Sequence, residues 1–352
     1  MPALARRGHA VTVVAGHHRA GLPDAIDIDG VRIHRFPFHQ VLATRDVDAL
    51  SALLGAVARL KRAIAPDLVH VNTLGPSVLC HLRTTRAWPA PALLTLHSPV
   101  SADAARGETL YGRALRTAAW LNANSHAVRD ELCRHVPAMA DRSSVTYYGM
   151  DAPALAPSAR PRRRPVVLAF GRLVADKGFD LAVRAFAIVR QRVADARLVI
   201  AGVGPARPDL ERLATSEGVA SCTEFLGARP PGDIPALINT ASLVVVPSRW
   251  AEPFGLVALE AALMARPVVA ARVGGLAEVV EDGHTGLLVE REDWRGLAAA
   301  MLRLLEDPSG ADAMGAAARR RAGQRFAWDR CVAEYERLYD RVAATPQGAW
   351  HA

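Results

Sequence analysis

The chain has 352 residues, 51% hydrophobic and 22% charged, which provides cores for one large or two medium domains and excludes a disordered, collagenous or coiled-coil chain. The net charge of +8 suits an anionic partner such as nucleic acid, a membrane surface or a phosphorylated substrate, while 5% aromatic content disfavours a single-strand stacking platform. No apolar run reaches the roughly 18 residues of a spanning helix, no signal-peptide core opens the chain, and Cys80, Cys133, Cys222 and Cys331 form no CxxC pair; a soluble, intracellular, cytoplasmic protein with reduced thiols is expected.

Residues 2–8 read as the end of a helix stopped by Gly8 and leading directly into a strand at 10–15, so an opening strand and its loop are expected to be missing. Strand candidates follow at 31–36, 68–71, 92–96, 121–123 and 144–147. Asp27-Ile-Asp29 and Asp46-Val-Asp48 have the DxD form of metal-dependent transferases, but Asp29-Gly30 is a hairpin-turn signal and Asp46 opens a helical run. No cluster with metal-ligand spacing is found, so no metal is expected. The segment 152–165, rich in Pro, Ala and Arg, reads as an exposed linker.

Beyond it, β-rich runs at 166–170, 197–201, 223–226, 243–246 and 267–270 alternate with helical stretches at 180–193, 208–217, 233–240 and 254–264. Such alternation predicts an α/β protein whose parallel sheets carry helices on both faces, as two doubly wound Rossmann-like domains facing a cleft. The boundaries are 1–151 for the first domain, 152–165 for the linker and 166–325 for the second. A closing amphipathic helix at 326–343 should pack on another element.

Three loops that follow buried strands of the second half carry the chemistry. Pro247-Ser-Arg-Trp-Ala-Glu-Pro-Phe-Gly-Leu-Val-Ala-Leu-Glu260 passes from a strand through a Pro/Gly turn into a helix, the place where open α/β sheets bind ligands. Glu252 sits in that loop and Glu260 two turns along the helix, while the amides of Phe254, Gly255 and Leu256 face an anion from the helix tip. In Phe170-Gly-Arg-Leu-Val-Ala-Asp-Lys-Gly178, Gly171 allows close backbone approach, and Arg172 and Lys177 place two cations where a diphosphate gathers charge. Lys61 and Lys177 are the chain's only lysines, which sets a lysine in this loop apart. Ala201-Gly-Val-Gly-Pro205 turns tightly at Gly202 and Gly204, and Arg207 at the third glycine position breaks a dinucleotide fingerprint. In the first half, His97 stands at the carboxyl end of a buried strand.

These motifs resemble those of the family 4 retaining glycosyltransferases of the GT-B fold. Glu252 and Glu260 match the family's Glu-x7-Glu element, and 171–178 matches its Gly-Arg-Leu-x-x-x-Lys-Gly loop. The resemblance implies transfer of a sugar from a nucleotide-diphosphate donor to an unidentified glycan, lipid or small-molecule acceptor (a hexosyltransferase of class EC 2.4), without cofactor or metal. It assigns Glu252 to the donor sugar, Glu260 to the ribose hydroxyls, and Arg172 and Lys177 to the leaving diphosphate. The resemblance also places His97 at the sugar, Leu226 at the base pocket, and Gly171, Gly202, Gly204 and the 254–256 turn at the donor. It further implies that the 326–343 helix returns to the first domain, and that peripheral contact with an anionic membrane at its inner face accompanies lipid acceptors; no nucleic-acid partner is expected. Alternatives are a catalytically impaired nucleotide-sugar-binding protein, an NAD-dependent oxidoreductase sharing the sheet architecture, and a sugar-nucleotide epimerase.

Overall fold

The computed structural model describes residues 1–17 and 21–345. The chain divides into two compact units, one formed by residues 1–124, 128–146 and the helix from Asp329 onward, the other by 125–127 and 147–328.

In the first unit, β1 (Val11–Gly16), β2 (Ala25–Ile28) and β3 (Val31–Phe36) form a sheet in the order β1-β3-β2. Asp29 and Gly30 join β2 to β3 with φ of 49° and 78°, the left-handed pair that a two-residue hairpin requires, so the first DxD is a turn. In the second, the Asp46 carboxylate accepts the Ala49 amide at 3.0 Å and caps the helix Val47–Ile64. A separate parallel sheet runs β4 (Val69–Val71), β5 (Ala92–Leu96), β6 (Trp120–Ala123), β7 (Ser143–Val145) in sequence order. β1 and β4 each pair on one side only among the described residues.

The closing helix Trp328–Ala343 buries Leu338 and Val342 against Leu93 and Ala119 of this unit. Polar contacts fix its register: His70 of β4 lies between the Tyr339 hydroxyl and Thr95 Oγ1, each 2.8 Å away. The Asn122 amide donates to Tyr335.

In the second unit, β8 (Val166–Phe170), β9 (Arg197–Ala201), β10 (Thr223–Gly227), β11 (Leu243–Val246), β12 (Val268–Ala271) and β13 (Gly286–Val289) form one parallel sheet, ordered β10-β9-β8-β11-β12-β13. Ranked along the chain this is 3-2-1-4-5-6, the doubly wound arrangement whose strand order reverses between β8 and β11. The central strands are buried on both faces, as parallel sheets demand of Val-rich runs. Phe179 and Phe186 cover one face together with Leu297 and Met301; Phe254, Leu259, Leu276 and Phe326 cover the other.

Two features refine the expected boundaries. Residues 147–151 group with the second unit, because Tyr147 and Tyr148 stack edge-on or tilted against Phe254 and Tyr147 against Phe326, with centroids 5.2–6.0 Å apart. The segment 152–165 is mostly exposed, but it is docked on the second unit rather than solvated throughout. Arg160 turns inward to the Asp312 carboxylate at 2.8 Å and the Pro308 carbonyl at 2.8 Å, and the Ser158 amide donates to Asn239. β2 and β13, four residues each, were not anticipated: both are edge strands with too few alternations to stand out.

Burial, with a lesser push from His97, lowers the His70 pKa to about 4. Below about pH 6.5 the unfolded chain takes up a proton that the folded chain refuses, so stability falls as pH drops from 6.5 towards 4. Between pH 7 and 5 the wild-type protein should lose about 2 kcal/mol more than His70→Gln, at roughly 1.4 kcal/mol per unit. Urea titrations of both proteins at the two pH values check this, and equal losses would count against it.

Candidate active site at the switch point of the second sheet

The loops that follow β9, β8 and β11 leave adjacent strands of one sheet at their carboxyl ends, on either side of the point where strand order reverses. Open α/β sheets form their ligand crevice there. The backbones of these loops touch. The Gly171 amide donates to Ala201 O at 2.9 Å, Leu173 to Val203 O at 2.9 Å, and Arg249 to Asp176 O at 2.8 Å. Gly202 has φ of 145°, and a Cβ there would lie 1.8 Å from Gly171 O. Gly178, with φ of 66°, would place a Cβ 2.0 Å from Pro247 O. Any other residue at either position forces the loops apart.

Lys177 and Glu252 meet across this junction, Nζ to Oε1 at 2.5 Å. The same oxygen accepts the Ser248 hydroxyl at 2.5 Å. Glu252 and Ser248 are buried, at 7% and 1% exposure, whereas the Lys177 side chain keeps 22% of its surface open and lies 5.7 Å from the Trp250 ring centroid. Arg172, in the same loop as Lys177, is exposed, and its guanidinium has no hydrogen-bond or ion-pair partner among the described residues.

The helix Leu256–Leu263 starts two residues later than the sequence pattern suggests, with Gly255 (φ 109°) at its cap. Its first hydrogen bonds run from Ala258 and Leu259 to Gly255 O, which leaves the amides of Leu256 and Val257 directed out of the helix tip. The Phe254 side chain is 2% exposed and packs in the core, so only its backbone is available to a ligand. Leu256 by contrast is exposed at 45%. Glu260 lies on the same helix, and burial alone raises its pKa to about 7, with no ion pair or hydrogen bond to the carboxylate among the described residues. Gly204 abuts Leu173 O. Leu226 is a half-buried member of the core, next to Gly227, whose carbonyl accepts the Gly202 amide at 2.8 Å.

His97 belongs to the first unit, immediately after β5. Its Nε2 lies 3.2 Å from Asn72 Oδ1, and its carbonyl accepts from the Asn124 side chain at 3.4 Å. Burial lowers its pKa, with a smaller opposing effect from Asn72, so the ring is neutral near pH 7.

Four contributors were missed in the sequence. Arg249 grips Asp180 with two bonds of 2.6 Å, reaches Glu292 at 2.9 Å and Ala175 O at 3.1 Å, and so fastens the Lys177 loop to the Glu252 loop. Those carboxylates push its pKa further up. Ser248 orients Glu252. Gly274 and Gly275 pack against the 251–254 backbone, where the Gly275 amide donates to Glu252 O at 2.7 Å. The Gly-Gly pair following a buried strand was the available signal.

Residues 154–321 match the family described as Glycosyl transferases group 1, and residues 1–153 match Glycosyltransferase Family 4. The chain is 30% identical to glycogen synthase of Mycobacterium tuberculosis over an alignment covering 96% of this chain and 88% of that one. The chain belongs to the family 4 glycosyltransferases. It is also 37% identical to alpha-D-kanosaminyltransferase of Streptomyces kanamyceticus over 206 residues, 55% of this chain and 53% of that enzyme, about half its length. Anabaena HepE, solved in complex with UDP and glucose, superposes with a TM-score of 0.76 at 22% identity, covering 94% of this chain and 100% of that one. The fold is therefore that of the GT-B glycosyltransferases, with two Rossmann-like units. Among the described residues no helix is long and apolar enough to cross a membrane, and no three His, Cys, Asp or Glu side chains cluster as a metal site.

The raised Glu260 pKa has a measurable consequence. The folded state holds the proton between about pH 4.5 and 7 while the unfolded state releases it, so stability declines as pH rises through that window. Glu260→Gln should match the wild-type protein in stability near pH 5 and exceed it by about 2 kcal/mol at pH 8. Denaturant melts at the two pH values measure the gap; a gap that does not change with pH would show that Glu260 ionises freely.

Proposed function

We propose that the protein is a retaining glycosyltransferase that takes a sugar from a nucleotide-diphosphate donor held by the second unit and transfers it to a hydroxyl acceptor. The observation that carries this reading is the convergence of Arg172, Lys177, Glu252 and the 256–263 helix tip on loops from adjacent strands at the point where strand order reverses. The UDP in HepE and the sugar-transfer activities named for the relatives support the donor class.

In this reading the diphosphate meets Arg172 first, since its guanidinium is exposed, and then Lys177 and the amides at the helix tip. Positive groups fixed in place stabilise the negative charge that grows on the leaving diphosphate, without the cost of reorganising solvent. They supply the charge that a metal provides in other transferases. Glu252 faces the donor sugar. Glu260, kept protonated to near neutral pH, can both donate to and accept from the ribose hydroxyls.

During transfer the bond between the anomeric carbon and the diphosphate oxygen breaks, and the acceptor oxygen bonds to the same face. The acceptor proton passes to the departing phosphate, giving retention without an enzyme carboxylate nucleophile. The net charge of +8 is compatible with a lipid acceptor at an anionic surface of the cytoplasmic leaflet.

Lys177→Ala should lower turnover by about 10²-fold or more, by analogy with removal of one preorganised donor at a transition state. The measurement is release of nucleoside diphosphate from a panel of UDP-, GDP- and ADP-sugars, first without and then with candidate acceptors. Unchanged turnover in the variant would remove Lys177 from the mechanism.

A further inference from the structure

Lys177 is paired with a carboxylate of its own chain. Its ammonium sits 2.5 Å from Glu252 Oε1, with the Trp250 ring centroid 5.7 Å away, and the Trp250 indole nitrogen is buried with no acceptor among the described residues. Within the pair the carboxylate is the fixed member. Its Oε1 is held by the Ser248 hydroxyl at 2.5 Å, its own backbone carbonyl accepts the Gly275 amide at 2.7 Å, and its side chain is 9% exposed. The lysine is the member free to move: its side chain is 22% exposed and ends a long, rotatable stem on a short turn at 175–177.

Two anions of very different standing therefore address one ammonium. The internal one is a single carboxylate that never leaves, and the external one is a diphosphate that must arrive with the sugar and depart without it. We propose that Glu252 competes with the diphosphate for Lys177, so that the carboxylate reclaims the lysine after transfer and thereby loosens the nucleoside diphosphate product. The inference rests on the donor-site reading above and adds to it a release function for Glu252. While the donor is intact, the sugar hydroxyls occupy Glu252 and leave Lys177 to the phosphates. Once the sugar has gone, Glu252 loses that partner and the Lys177 ammonium swings back to it. Diphosphate binding is weakened by the free energy of the pair that has to be broken, the same penalty that any ligand meets when its binding-competent state is not the resting one.

A simpler account is plain repulsion between Glu252 and the diphosphate. The two differ in whether the effect needs Lys177, and a double-mutant cycle separates them. Calorimetric titrations with UDP, GDP and ADP as probes are to be run on the full chain as wild type, Glu252→Gln, Lys177→Met and the double variant. Glu252→Gln should bind the preferred diphosphate about tenfold more tightly, a gain of about 1.4 kcal/mol, and should release it more slowly by a similar factor. In the Lys177→Met background the same substitution should change affinity less than about twofold.

No gain in Glu252→Gln overturns the competition, and so does an equal gain in both backgrounds, which repulsion alone predicts. If none of the three diphosphates binds the wild-type protein, the donor-site reading fails and takes the inference with it; that result is distinct from binding without a Glu252 effect. Should Glu252→Gln melt too low to titrate, Ser248→Ala carries the test. It keeps both charges and unfastens Oε1, and should tighten diphosphate binding about threefold, a gain of about 0.7 kcal/mol. Unchanged binding in a folded Ser248→Ala would then overturn the proposal.

Discussion

The carbonyl oxygens of Gly171, Leu173, Pro247 and Glu252 each face a position where only a residue without a Cβ can stand. The facing residues are Gly202, Gly204, Gly178 and Gly274, and a Cβ built on any of them would come within 1.8–2.2 Å of the oxygen. Four loops from neighbouring strands are thereby pressed together at backbone distance, and the side chains of the candidate site inherit their positions from that contact. Lys177 adjoins Gly178, Arg172 adjoins Gly171, and Glu252 is the residue whose carbonyl Gly274 faces. A site built this way is stiff because its spacing is set by backbone against backbone rather than by side chains that can change rotamer.

The parallel sheet makes the contact possible. Its 3-2-1-4-5-6 order sends the connections from β8 and β11 to opposite faces, so the loops at their carboxyl ends diverge and leave a crevice. Burial on both faces keeps those strand ends in register: Val167, Leu168, Val244 and Val245 are each at most 1% exposed. The phenylalanines extend the same logic to the helix tip. Phe254 packs edge-on against Phe326, with centroids 5.6 Å apart, which anchors the turn that directs the amides of Leu256 and Val257 outward.

The second sheet was legible in the sequence because each of its central strands is a short unbroken Val/Leu/Ala run bounded by turn residues, and the site loops begin where those runs stop. What the sequence could not show were contacts made across long separations. Lys177 and Glu252 could each be recognised by local pattern, but they are 75 positions apart, and nothing in either motif states that they touch. Arg249 was hidden for another reason. In a chain whose basic residues are almost all arginine, one more carries no signal until the structure shows it joined to Asp180 and Glu292. The segment 152–165 illustrates a limit of composition: it has the Pro, Ala and Arg content of a solvated linker, yet one of its arginines is buried, because a guanidinium can satisfy its donors on carbonyls and a carboxylate beneath the surface.

That bias in basic residues acquires a physical reading from the structure. Arg160, Arg249 and Arg266 each bind several acceptors at once: Arg266, 1% exposed, reaches Ala241 O at 2.8 Å, Asn239 O at 2.9 Å and Ser158 O at 3.1 Å. A planar fork with five donors suits that work, since it fixes the directions of its partners and holds separate chain segments together. The same rigidity is a handicap where a cation has to pass between partners. An ammonium is a compact point charge that can rotate from a carboxylate to a phosphate without realigning a plane. Lysine occurs at two positions in the chain, and one of them is the junction where a carboxylate and the proposed diphosphate address the same group. At that junction the chain departs from its own preference for arginine, and the chemistry expected there is the kind for which an arginine would be the poorer choice.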